Sequence, residues 1–105
     1  MVDSKILDAF QMMWGSFPAP VRLIHKSRMV LAVNQFAKSI GMEVGVSCLA
    51  IGTPESHKGC KANKALFPNK GQRMNTEPGE IKFWSPVRDC PDVYIHFKIP
   101  VEQGE

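Results

Sequence analysis

No stretch of this 105-residue sequence approaches the roughly 20 consecutive apolar residues that a membrane-spanning helix requires. An integral helical membrane protein is thereby excluded. The opening MVDSKILDAF carries Asp3 and Asp8 and has neither a basic leading segment nor a small-residue cleavage site, so no export signal is expected. Cysteine is scarce. Three of them, an odd number, in a chain without such a signal imply reduced thiols in a cytoplasmic setting rather than a disulfide framework. Charge of one sign is not in great excess either: 13 Lys and Arg against 10 Asp and Glu give a formal net charge of +3. Lys58, Lys61 and Lys64, with Lys70 beyond, gather in one region, and their spacing describes a solvated helix face. Nucleic-acid binding needs a denser basic patch, so no nucleic-acid partner is expected, and no membrane partner. Repeats, low-complexity tracts and linkers are also missing. What is present is an ordinary globular mixture, 44% hydrophobic and 22% charged, that can bury one core without a staple.

Periodicity orders that mixture into elements. Ile6, Leu7, Phe10, Met13 and Trp14 recur at helical spacing, which predicts an amphipathic N-terminal helix with Asp3 or Ser4 as its cap. Gly15 is expected in a left-handed conformation just past its end. The stripe is wide and aromatic, so it covers its own domain, pairs with a second copy, or does both. GSFPAP follows, with two prolines that forbid a helix. Val21–His25 and Met29–Val33, joined by a short polar turn, read as a β-hairpin. Asn34 stands where a helix N-cap belongs, and Gly41 just past QFAKSI. A longer helix is predicted from about Ser56 to Phe67. Gln72–Thr76, Glu80–Val87 and Asp92–Val101 then read as strands, the last with a clear period of two. Pro100 marks the end of that strand or an edge position.

The stretch FPAPVRLIHKSRMVLAVNQFAKSIG, Phe17 to Gly41, resembles the front half of a PAS domain. The residues that carry the likeness are the proline-led entry at Pro18 and Pro20, the pair Val33 and Asn34, and the helix ending in Ile40 and Gly41. Gly45 before Cys48 and the strand HFKIPV extend it, so it covers roughly Phe17 to Val101. The resemblance implies an α+β fold: a five-stranded antiparallel sheet with short helices on one face. Residues 1–16 would form an N-terminal cap and dimerisation helix, and 17–105 the PAS-like domain. It further implies a sensory or protein-interaction module in signal transduction. Such a module holds a small ligand between sheet and helices, in a cavity lined by Ile24, Val33, Phe36, Ile40, Cys48, Cys60, Leu66 and Phe97, or acts through dimerisation. The chain departs from the pattern at its end, Gln103 to Glu105, where no coiled-coil linker or output domain follows. Signalling is therefore expected through association, with a homodimer formed by Ile6, Leu7, Phe10, Met13 and Trp14, or with an unidentified partner protein.

Chemistry-bearing residues offer one alternative. Cys48, His57 and Cys60, with Cys90 as a fourth ligand, supply soft and borderline donors for zinc or an iron–sulfur cluster, which would make this a metal- or redox-responsive protein. The competing reading makes the cysteines small buried apolar residues and His57 an exposed one at a helix start. Cys60 as nucleophile with His57 as base finds no third orienting residue, so no enzymatic activity is expected. The Cys-x2-Cys-His motif of c-type haem is missing. His57 is the one histidine placed to ligate haem on the long helix, while His25 and His96 lie in strands. The flavin-photoreceptor run Asn-Cys-Arg-Phe-Leu-Gln is also missing. No particular cofactor follows from these residues.

Overall fold

The computed structural model describes residues 3–47, 60–66, 70–76 and 79–100. In chain order these form helix α1 (Ser4–Trp14), strands β1 (Val21–His25) and β2 (Val30–Val33), helices α2 (Gln35–Ser39) and α3 (Ala62–Leu66), and strands β3 (Gln72–Thr76), β4 (Glu80–Val87) and β5 (Cys90–Pro100). The strands make one antiparallel sheet in the order β2-β1-β5-β4-β3. This is the five-stranded sheet with short helices expected from the sequence. Its topology explains the layering. The chain leaves β2 at one edge and enters β3 at the other, and between them α3 packs on one face, here called inner. Helix α1 lies on the opposite, outer face.

Strand parity assigns residues to the two faces, because residues directly opposite one another share a face and neighbours in sequence do not. Ile24, Tyr94 and Trp84 face inward, where they pack with Val30 and with Ala62, Ala65 and Leu66 around α3. Val21, Leu23, Val93 and Ile95 face outward and pack with Phe10 of α1. Both faces are covered. That is why the hairpin strands show no strongly polar side.

Local residues set the joints. The Asp3 carboxylate accepts the Lys5 N–H at 2.9 Å and caps α1. Gly15 departs from the expected left-handed geometry: its φ of −52° is right-handed. The residue is instead a point of close approach, buried, with no room for a β-carbon beside the Gln11 carbonyl, and its own carbonyl accepts the Gln35 N–H at 3.1 Å. Gly41, with φ of +91°, does take the left-handed conformation that suits glycine just past α2. Strand β5 begins two residues earlier than expected and is central rather than an edge, with Pro100 as its last residue. Pro86 interrupts β4 at a register shift, beyond Gln72, the last β3 residue in line with it. There a missing N–H leaves no ladder bond to β3 unmade. Of the helix expected over Ser56–Phe67, α3 is the described part.

Candidate functional site

Three surfaces could serve a function: the seat of α1, a groove beside β2, and a polar row on the inner face. Asn34 connects the first two. Its side chain is 1% exposed and makes five hydrogen bonds. Oδ1 accepts the N–H groups of Val21 and Ala37, each at 3.0 Å. Nδ2 shares its two hydrogens among the carbonyls of Trp14 at 3.0 Å, Phe17 at 3.3 Å and Ala19 at 2.9 Å. The expected N-cap role is real, and the same amide also binds the end of α1, the approach to β1 and the start of α2. Every polar atom of this buried group is satisfied.

On the outer face, Trp14 packs against Phe17 and Phe97 with centroids 5.2 and 5.3 Å apart, and Phe97 stacks on Phe83 at 4.8 Å. Phe10 is buried against the chain's own sheet, and Ile6, Leu7 and Trp14 pack at the margin of that cluster. Met12 and Met13, 85% and 67% exposed, point away from it. Of the five residues expected at a dimer contact, then, Phe10 is committed internally, Ile6, Leu7 and Trp14 are partly so, and Met13 stands outward. Between α1, β2 and α2 runs an open groove of about 720 Å³, lined by Leu7, Gln11, Val33, Lys38 and Val44 among others. The Gln11 amide crosses it to donate to the Val33 carbonyl at 3.0 Å.

The inner face has two unlike halves. Its apolar half is filled by side chains, with Ile24, Trp84 and Tyr94 at most 2% exposed. Ile24 and Leu66 from the expected ligand-binding set meet here, and Val33 packs at the margin. Four others in that set are elsewhere. Phe36 and Ile40 are exposed on and just after α2, Cys60 is exposed ahead of α3, and Phe97 belongs to the outer-face aromatic cluster. Cys48 lies outside the described residues, as does His57. Cys90 packs against the outer-face core, on the other side of the sheet from the α3 segment that Cys60 precedes. Among the described residues no group of three potential metal ligands assembles.

The polar half is a row that sequence reading did not find. Arg22, His96 and Trp84 are directly opposite one another across β1, β5 and β4, and the next position on the same face pairs Lys98 with Lys82. His96 stacks on Trp84, centroids 4.9 Å apart and planes 13° from parallel. Its Nδ1 lies 2.9 Å from the Phe83 carbonyl. A carbonyl only accepts, so Nδ1 carries the proton and Nε2 is the bare nitrogen. Burial holds the imidazole pKa down to about 4, with Arg22, Lys82 and Lys98 pushing the same way and the Phe83 hydrogen bond opposing them. Lys98 is 3.6 Å from the Glu80 carboxylate.

The architecture is shared with a solved structure described as a sensory box sensor histidine kinase from Vibrio cholerae. The two chains are 14% identical, the match covers 94% of this chain and 92% of that one, and the TM-score is 0.67. No family model matches the chain, and no curated protein matches it. The fold is therefore PAS-like, as the run from Phe17 to Gly41 suggests. No helix among the described residues is long and apolar enough to cross a membrane.

Proposed function

We propose that this protein is a sensory and protein-interaction module in signal transduction, one that carries its signal by association rather than by turning over a substrate. The observation that carries this reading is the Asn34 hub. One buried amide holds both the end of α1 and the start of α2, so a rearrangement at α2 strains the seat of α1. A ligand acts on such a device only through different affinities for its two arrangements. The likeness in fold to a sensory box supports the sensory half of the reading.

The associating element is α1 in a homodimer. Its buried side holds the sheet, while Met12 and Met13 supply flexible apolar surface of the kind that adapts to a partner. Sedimentation velocity tests this on the full chain. A dimer is expected for the wild type and a monomer with unchanged circular dichroism for Met13→Glu. A monomeric wild type, or a dimer indifferent to Met13→Glu, contradicts it.

A further inference from the structure

Strand β2 is an edge of the sheet, and an edge strand presents backbone groups with which another chain can pair. The chain covers one end of that edge itself. The Val30 N–H donates to the Val46 carbonyl, and the Val30 carbonyl accepts the Gly45 N–H, each at 2.9 Å. At the other end Val33 is opposite Arg22 of β1, while the next residue, Asn34, donates its N–H to the Val21 carbonyl at 3.1 Å. Bonded and non-bonded pairs alternate along an antiparallel ladder, so Val33 directs both its backbone groups away from β1. Its carbonyl accepts the Gln11 side-chain amide at 3.0 Å, a side chain standing where the N–H of a neighbouring strand would be. Its own N–H has no partner among the described residues.

The space in front of these groups is the open groove of about 720 Å³ between α1, β2 and α2. Leu7, Leu31, Met42 and Val44 give it apolar walls, and Val44 is 56% exposed. Its charges are uneven. Asp8 and Glu43 line it against the single ammonium of Lys38, and none of the three forms an ion pair among the described residues. On a chain of net charge +3, this groove is locally acidic.

We propose that the groove docks an extended apolar segment of a partner protein, one that carries a Lys or Arg. The segment adds to β2 as a short strand. One of its residues exchanges two hydrogen bonds with Val33 and displaces the Gln11 amide. Its apolar side chains meet Leu7, Leu31 and Val44, and its cation answers the excess carboxylate of Asp8 and Glu43. Backbone pairing supplies affinity and the side chains supply preference. This site is separate from the homodimer contact. Leu7 and Met13 are each three residues from Phe10, in opposite directions, so at about 3.6 residues per turn they flank the buried Phe10 on either side.

The test uses the full nitrogen-labelled chain and a synthetic peptide with blocked ends, Val-Lys-Val-Thr-Val. One control peptide has Glu in place of Lys, and another is N-methylated throughout its backbone. Nitrogen–proton NMR is expected to show the Val33 amide proton moving downfield and the Gln11 side-chain amide released, both saturably. The N-methylated peptide is expected to leave both in place, and the Glu peptide to bind about fivefold more weakly. Gln11→Ala removes the competing donor and is expected to tighten binding about fivefold, the scale of one net hydrogen bond, with circular dichroism unchanged. Met13→Glu is expected to bind the peptide as the wild type does, so a failure of the α1 dimer and a failure of this site are distinguishable. A Val33 amide that the peptide leaves unmoved, or that the N-methylated peptide moves equally, overturns the proposal. So does one that shifts with protein concentration alone, which would give the edge to a second copy of this chain.

Discussion

On the outer face of the sheet, Phe10, Leu23, Val93 and Ile95 close a core beneath α1, and an aromatic group of Trp14, Phe17, Phe83 and Phe97 continues it. On the inner face, a core of similar closeness around Trp84 and Tyr94 gives way after one strand position to Arg22, His96, Lys82 and Lys98. The same strands build both surfaces, since alternate residues of β1, β4 and β5 supply each. Beneath α1 the outer face is dominated by apolar burial. The inner face places Arg22, Lys82 and Lys98 around His96, with Glu80 bridged to Lys98. One sheet thus carries an apolar seat for α1 on one side and a partly charged surface on the other.

The largest effect is expected from removing the amide that α1 and α2 share. Asn34→Ala leaves the Trp14, Phe17 and Ala19 carbonyls and the Val21 and Ala37 N–H groups without their partner. An unfolding loss of about 3–5 kcal/mol is expected, measured by urea denaturation, with α1 and the α2 junction both losing hydrogen-exchange protection. A loss confined to one of them would mean the two helices are independent.

A middle-sized effect sharpens the inner face. The pKa of His96 in the folded chain is about 4, below its ordinary 6.5. The unfolded chain therefore binds a proton between those values that the folded chain refuses. Stability is unaffected above about pH 6.5, falls as pH drops toward about 4, and loses no more below that, by at most about 3 kcal/mol. His96→Gln keeps a donor for the Phe83 carbonyl and is expected to flatten this dependence in melts across the same range. The smallest effect lies at the rim. Asp92→Asn removes the exposed Lys26 pair, and a change below about 1 kcal/mol is expected.

Features set by local sequence were the legible ones. The stripe of α1, the β1–β2 hairpin, the Asn34 cap and the period of β5 are all read within a few residues, and the element order they compose is that of the PAS-like sheet. Gly15 was legible as a helix end, but its conformation depends on the close approach of Gln11 and Gln35, which no propensity encodes. The site was less legible than the fold because it depends on register between distant strands. Phe97 and Ile24 look alike in sequence, yet the β1–β5 ladder sets Phe97 opposite Val21 and Ile24 opposite Tyr94, on different faces. The same ladders bring Arg22 beside His96 and Lys82 beside Lys98 from separate strands. One signal was available: Arg22, Lys82, His96 and Lys98 each stand between two apolar neighbours at a position whose parity can be counted.

The central claim is that the chain associates through α1. Sedimentation equilibrium of the wild type and of Met13→Glu over a range of concentrations tests it most directly. The account predicts a reversible wild-type dimer whose dissociation constant rises by about tenfold or more in Met13→Glu. A chain that is monomeric throughout, or a dimer whose constant is the same in both, would contradict it.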